Sequence, residues 1–158
     1  VVVGSAPYSD AYTERIASLA DERVRLPGGI WDQELLDQLY AGALVYYHGH
    51  SVGGTNPSLL RAIGAGAAVD AFDVSFNREV LGDAGRYWTG ADDVARLVAS
   101  AEADPAAQAA RGELSRERAA LYDWDEVADR YEALCRELAA SGPRSDRPSG
   151  RRAGIAPS

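Results

Sequence analysis

Short apolar runs alternate along this chain with longer stretches in which apolar residues recur every three or four positions. Continuous β-branched runs are typical of strands buried in a parallel sheet, and the longer spacing is typical of one face of a helix. This alternation predicts an α/β protein, a Rossmann-like sandwich with a mostly parallel sheet. The strands are expected at 1–3, 24–26, 43–47, 67–73 and 86–89.

Helices are expected between these strands and after the last of them. Asp92 or Asp93 is expected to cap the helix after the last strand. Asp123 is expected to cap the final helix, because it lies three residues before Glu126, the spacing of a capping box. Cys135 lies on the apolar stripe of that final helix, which predicts a buried structural thiol rather than a nucleophile. The expected apolar stripes are Tyr12, Ile16, Leu19 and Ala20; Leu35, Leu36, Leu39 and Ala43; Val94, Leu97, Val98 and Ala101; and Trp124, Val127, Ala128, Tyr131, Leu134, Cys135 and Leu138.

The distribution of charge narrows the class of partner. The 158 residues carry a net charge of -8, and residues 143–158 hold four arginines against one aspartate, so the rest is more acidic still. An acidic body argues against nucleic-acid binding, which needs a basic face. We divide the chain into one domain, residues 1–140, and a tail, 141–158, whose Arg, Pro, Gly and Ser content predicts disorder.

The composition also bears on where the protein works. The chain contains no methionine and opens directly on an apolar run, so we expect a fragment, the C-terminal part of something longer. No apolar run approaches the ~20 residues of a membrane span, and no signal peptide is recognisable. These features predict a cytoplasmic protein with at most a peripheral contact at the inner face of the plasma membrane.

The stretch GHSVGGTNPSLLRAIGAG, residues 49–66, follows the third expected strand directly. Asn56 and Pro57 are a favourable N-cap and first residue for a helix, which would leave the amides of Ser58 and Leu59 unpaired and pointing outward. Gly53 and Gly54 would let the backbone approach a ligand closely. This loop predicts an anion site built from backbone amides, and the alternative is a glycine turn before a well-capped helix.

Four polar residues near this loop are further candidates. His48 and His50 would lie on one side of a strand, but no carboxylate or cysteine with ligand spacing accompanies them. We therefore expect no metal and no other cofactor, and either a hydrogen bond from one imidazole to a phosphate or a sugar hydroxyl, or a structural histidine. Asn77 and Glu79, in FNREVLG, are expected to support the site, Glu79 by orienting a loop or as a first-turn partner of the helix dipole.

Three segments together resemble the C-terminal, donor-binding domain of family 4 (group 1) glycosyltransferases. They are HGHSVGGTNPSLLRAIGAG, FDVSFNREVLGDAGRYW and YDWDEVADRYEAL, in the family's order and spacing. The GGTNPSLL form is similar to bacterial rhamnosyltransferase-like members of surface-polysaccharide assembly. The resemblance implies the C-terminal half of a GT-B fold without its first strand and helix. It also places the donor diphosphate against Thr55, Asn56 and the amides that follow.

Three positions depart from the family pattern. Gly53 and Arg61 stand where many members carry two glutamates, one contacting the donor sugar and one the ribose hydroxyls. Arg61 can only donate hydrogen bonds, so it would pair with a phosphate or face solvent. Asp70 interrupts an apolar strand, where an unpaired carboxylate costs several kcal/mol or stays protonated. Either its side chain reaches the sheet edge or this copy of the domain is damaged.

The resemblance implies part of a retaining transferase that moves a sugar, rhamnose among the candidates, from a nucleotide sugar to a polysaccharide or glycolipid acceptor. The expected partners are that donor, a missing N-terminal acceptor domain, and a glycan or lipid-linked acceptor. No residue here is expected to be catalytic, so the fragment alone should be inactive and bind nucleotide weakly or not at all. The alternative is a degenerate, non-catalytic α/β module for nucleotide sensing or protein contact, and a nucleotide-sugar epimerase of the same architecture is a further one.

Overall fold

A computed structural model describes residues 1–5 and 10–142 of the chain. The chain divides into two compact units, Val1–Leu121 and Tyr122–Ser158. The first unit holds a three-stranded parallel sheet with helices between the strands. The predicted fold class, α/β with a mostly parallel sheet, is therefore confirmed.

The sheet has the order β1 (Tyr46–His48), β2 (Val69–Phe72) and β3 (Gly85–Trp88). In its register Tyr47 lies beside Asp70, and Asp70 lies beside Arg86. Helix α3 (Pro57–Gly64) connects β1 to β2, and α4 (Ser75–Leu81) with a short 3-10 turn connects β2 to β3. Because all three strands run in parallel, their carboxyl ends meet at one edge of the sheet.

The first two expected strands are not buried strands. Val3 forms a single parallel bridge with Gly28, supported by a hydrogen bond from the Val2 amide to the Arg25 carbonyl. Val1, Val2 and Val3 are 70%, 54% and 39% exposed. A β-branched run favours extended backbone, but burial needs a neighbour on each side, and the described residues supply only one here.

Three helices of the first unit follow the predicted apolar spacing. They are α1 (Asp10–Leu19), α2 (Gln33–Ala41), whose cap is Asp32, and α5 (Ala91–Ala103). The cap predicted for α5 is wrong, because Gly90 holds the N-cap position. Asp93 instead reaches back from the first turn and accepts hydrogen bonds from the Thr89 amide and hydroxyl, both at 2.8 Å. These bonds lower the pKa of Asp93 to about 2.

A further helix, α6 (Pro105–Ala119), was not identified from the apolar pattern. Its N-cap Asp104 accepts a hydrogen bond from the Ala107 amide at 2.9 Å, and Pro105 is its first residue. This Asp-Pro pair is the same signal as Asn56-Pro57, and it could have located the helix. Arg118 of α6 donates to the carbonyls of Val80 and Glu79 at 3.0 and 2.5 Å.

Asp70 lies at the centre of a buried charge cluster, here defined as Asp70, Arg86 and Arg111. Its side chain is 0% exposed, so the expectation that it reaches the sheet edge is wrong. Arg86 binds both carboxylate oxygens, at 2.9 and 2.8 Å, and Arg111 of α6 binds one of them at 2.9 Å. The hydrogen bond to Asp70 raises the pKa of Arg86, whereas burial lowers the pKa of Arg111. The carboxylate is paired twice, so a damaged domain is not needed to explain it.

The second unit contains α7 (Trp124–Ala140), capped by Asp123, which accepts from the amides of Asp125 and Glu126. The predicted helix and its cap are confirmed. Cys135 is exposed, so the prediction of a buried thiol is wrong. An apolar stripe identifies the face that a partner could cover, but does not establish that it is covered. Of the predicted tail, 141–158, residues 143–158 lie outside the described residues, and its expected disorder stays a prediction.

Candidate functional site

The candidate site is the loop of residues 49–56, which leaves the carboxyl end of β1. Residues 49–55 are exposed, and none of the amides of residues 49–56 donates a hydrogen bond within the part of the chain that the structure describes. Ligands of parallel α/β sheets bind in the crevice beyond the carboxyl ends of the strands. The loop therefore offers a row of main-chain donors at the edge where such sheets bind ligands.

The amides that open α3 are already used inside the protein. The Ser58 amide donates to Asn56 Oδ1 at 2.9 Å, and the Leu59 amide donates to the Asn56 carbonyl at 3.0 Å. Leu59 is also fully buried. The prediction that these two amides are unpaired and point outward is thus wrong, because the Asn56 cap satisfies the donors it was expected to leave free. The predicted cap and the position of Pro57 are confirmed.

The two glycines of the loop leave space beside the backbone. Gly53 has a φ of +124°, which L residues rarely adopt, and Gly54 does not need a positive φ. A Cβ at either position would meet no atom within 4 Å. A ligand can therefore approach the main chain at Gly53 and Gly54, and Thr55, the next residue, is exposed beside them.

His48 lies just before the loop and is 1% exposed. Its Nδ1 is 3.2 Å from the Tyr46 hydroxyl, which donates to Ser58 Oγ at 3.2 Å. Its Nε2 is buried and has no hydrogen-bond partner among the described residues. Burial lowers the pKa of His48 to about 4, so the imidazole is neutral at neutral pH. The exposed ring of His50 stacks on it, with centroids 5.0 Å apart.

Asn77 connects this loop to the neighbouring strand. Its Nδ2 donates to the carbonyls of His50 and Phe72 at 3.0 and 2.9 Å. Glu79 does neither of the things expected of it. It lies beyond the first turn of α4, and its carboxylate has no hydrogen bond within the described residues. The residue that binds the loop is instead Asn77, two positions before Glu79, and the side chain of Asn77 is completely buried.

Arg61 binds residues of helix α2. Its Nε donates to Asp37 at 2.6 Å and its Nη1 to Gln33 Oε1 at 2.6 Å. Both acceptors belong to α2, and the ion pair raises the pKa of Arg61. The side chain therefore connects α3 to α2, so the expectation that it simply faces solvent is wrong, while the expected phosphate contact stays a prediction.

The described residues contain no group of three or more His, Cys, Asp or Glu side chains that could hold a metal ion. The side-chain oxygen of Asn56 also has partners within the protein, because Oδ1 accepts hydrogen bonds from both the amide and the hydroxyl of Ser58. No helix within the described ranges is long and apolar enough to cross a bilayer. What the site offers chemically is hydrogen bonding by main-chain donors and by one neutral, buried imidazole.

Solved structures of glycosyltransferases with the GT-B fold match this chain along most of its length. A sucrose-phosphate synthase from Thermosynechococcus elongatus matches with a TM-score of 0.77 at 28% identity, over 88% of this chain. The GtfA/B complex matches with a TM-score of 0.67 at 23% identity over 87% of this chain and 29% of that one. The pneumococcal O-GlcNAc transferase GtfA, in complex with UDP and GlcNAc, matches with a TM-score of 0.57 at 20% identity, over 83% of this chain and 28% of that one.

The chain spans 38% of the length of the sucrose-phosphate synthase. No protein-family model matches it, and no curated protein matches it. The comparisons therefore support a glycosyltransferase fold of the GT-B kind, and the assignment to family 4 remains a resemblance carried by the motifs.

Proposed function

We propose that this chain is the donor-binding part of a retaining glycosyltransferase, and that the diphosphate of a nucleotide sugar binds to the loop of residues 49–56. The observation that carries the proposal is the row of amides without a described partner on the exposed residues 49–55, at the carboxyl end of β1. Diphosphate oxygens accept hydrogen bonds, so they match this row of donors in kind. The similarity to a sucrose-phosphate synthase supports sugar transfer in general.

The loop would act on the leaving group of the transfer. As the bond between the sugar and the diphosphate breaks, negative charge grows on the diphosphate oxygens. Main-chain donors that are already positioned stabilise such charge without reorganising during the reaction. Residues 49–56 would supply these donors, and Asn77, through its bond to the His50 carbonyl, would hold the loop in place.

The other substrate and the cellular setting belong to the same proposal. Because the chain spans 38% of the matched synthase, we assign the acceptor, a glycan or lipid-linked sugar of bacterial polysaccharide assembly, to a domain without a counterpart here. Rhamnose is the candidate sugar, from the motif resemblance. We place the reaction in the cytoplasm, with at most a peripheral contact at the inner face of the plasma membrane.

Gly54→Val tests the loop as the diphosphate site. A Cβ at Gly54 meets nothing within 4 Å, so the substitution should fit the free protein and obstruct only the ligand. Of the two outcomes expected for this chain, weak binding or none, the proposal requires weak binding. One of UDP, GDP and dTDP, with its sugar, should therefore raise the melting temperature of the unaltered protein at high ligand concentration through mass action. Gly54→Val should weaken the binding of that nucleotide and raise its dissociation constant by about tenfold or more.

Gly64→Val is the matched control, because Gly64 ends α3 and is equally open, with nothing within 4 Å of a Cβ. It should leave nucleotide affinity unchanged. Equal losses in the two variants, or no loss in either, would contradict the proposed location of the diphosphate.

The chain of 158 residues is expected to transfer no sugar by itself. A retaining transfer needs an acceptor held against the donor, and we expect no residue of this chain to act as a nucleophile or general base. The measurement is mass spectrometry of acceptor glycans incubated with the purified chain and the nucleotide sugar that it binds. A glycosylated product would overturn this part of the proposal.

One observation favours the alternative, a non-catalytic sensing or interaction module. Arg61 occupies the place of a ribose-binding glutamate and is held by α2, so no carboxylate accepts from the ribose there. Nucleotide binding by the complete protein, combined with no transfer to any glycan acceptor, would favour this module. Transfer by the complete protein excludes it.

A further inference from the structure

The buried imidazole of His48 has one nitrogen that the fold leaves without a partner. The side chain is 1% exposed, and Nε2 has no hydrogen bond among the described residues. Buried polar atoms are nearly always hydrogen-bonded, so an orphaned one next to an open loop calls for an explanation. The hydrogen bonds on the other side of the ring decide which kind of partner Nε2 can take.

The proton on the His48 ring can be placed by following the hydrogen bonds from Asn56. Asn56 Oδ1 accepts from both the amide and the hydroxyl of Ser58, at 2.9 and 2.6 Å. The Ser58 hydroxyl has therefore used its proton and accepts from the Tyr46 hydroxyl at 3.2 Å. Tyr46 has then used its proton as well, and it must accept from His48 Nδ1. The proton of the neutral ring lies on Nδ1, and Nε2 carries a lone pair.

A buried lone pair requires a hydrogen-bond donor. Phosphate oxygens accept hydrogen bonds, so they cannot satisfy Nε2, and the amides of residues 49–56 are the matching partners for phosphate. Sugar hydroxyls can donate. The site thus offers two kinds of hydrogen-bonding group. The loop supplies main-chain donors, and the buried His48 side chain supplies one acceptor.

We infer that His48 Nε2 accepts a hydrogen bond from a hydroxyl of the hexose carried by the nucleotide, so that His48 selects for the sugar rather than for the diphosphate. This inference rests on the proposed function. Nε2 is buried in the free protein, and the exposed His50 ring stacks on the same imidazole, with ring centroids 5.0 Å apart. The ring of His50 moves aside when the hexose binds. The ring can turn while the His50 carbonyl stays bound to Asn77, because the His50 imidazole has no hydrogen bond among the described residues.

Two substitutions at His48 separate the two nitrogens. An asparagine amide reaches the position of Nδ1 and leaves nothing at Nε2, whereas glutamine carries an acceptor out to the position of Nε2. The readout is the ratio of the dissociation constants of the nucleoside diphosphate and its hexose conjugate, measured by titration for UDP, GDP and dTDP. A substitution that only perturbs the fold weakens both ligands alike and leaves this ratio unchanged.

We expect His48→Asn to reduce the ratio by about tenfold, the effect of one lost neutral hydrogen bond, while the affinity for the diphosphate alone stays the same. His48→Gln should restore most of the ratio. A ratio unchanged in His48→Asn overturns the inference, whether both affinities stay the same or both fall equally, because then no hydroxyl of the hexose depends on Nε2. If neither ligand binds the unaltered protein, it is the proposed function that fails, together with this inference.

Discussion

Replacing Asp70 by alanine is expected to lower the free energy of unfolding by about 3–5 kcal/mol, the typical cost of removing one partner of a buried ion pair. Asp70 is 0% exposed and is the shared partner of Arg86 and Arg111. Without it, two guanidinium groups that are 23% and 15% exposed face each other without a counter-charge. Chemical denaturation of the variant and the unaltered protein measures the difference.

Glu113→Ala is the matched control for this prediction. Glu113 also pairs with an arginine of α6, Arg116, but both side chains are more than half exposed. Its loss should cost between 0 and about 1 kcal/mol. If Asp70→Ala costs no more than Glu113→Ala, the cluster does not stabilise the sheet as described. Replacing Asp70, Arg86 and Arg111 together by leucine should recover much of the stability, since no unpaired charge then remains.

Gly112→Ala is expected to destabilise the protein by about 2 kcal/mol or more, although alanine is the better helix former. Gly112 lies in α6 where its backbone meets the carbonyl oxygen of Gly66, and a Cβ there would overlap with that oxygen. A backbone carbonyl cannot turn aside as a side chain can, so α6 must shift away from α3. Helix propensity alone predicts the opposite sign, a gain of about 1 kcal/mol.

The sign of this effect is therefore the test, again by chemical denaturation. Gly64→Ala serves as the comparison, because Gly64 is helical and open, and there the change should be neutral or slightly stabilising. If Gly112→Ala also stabilises the protein, α3 and α6 do not pack as closely as described.

Local signals in the sequence predicted the elements that form the site. The apolar run before His48, the Asn56-Pro57 cap and the run around Asp70 are short-range patterns, and β1, α3 and β2 form at or beside those positions. Gly53 was expected to allow a positive φ, and it has one. Such features depend on neighbours within a few residues, so the chain reveals them without a fold.

The partners of the polar side chains could not be predicted, because they come from distant elements. Asp70 is paired by Arg111, 41 residues later in a helix that the apolar pattern missed, and Arg61 by Asp37, 24 residues earlier. The amides of Ser58 and Leu59 were misjudged for a different reason. A cap residue satisfies the donors at a helix start, so a good cap argues against free amides there and moves the expected anion site into the loop before it.

The most direct measurement is an amide NMR titration of the ¹⁵N-labelled protein with UDP-, GDP- and dTDP-sugars, which detects even millimolar binding. Main-chain donors on residues 49–56 that hold the diphosphate should show the largest shifts, while the amides of Ser58 and Leu59 stay near their starting positions. Saturable binding with these loop signals unmoved, or no response to any of the three nucleotides, would contradict the account.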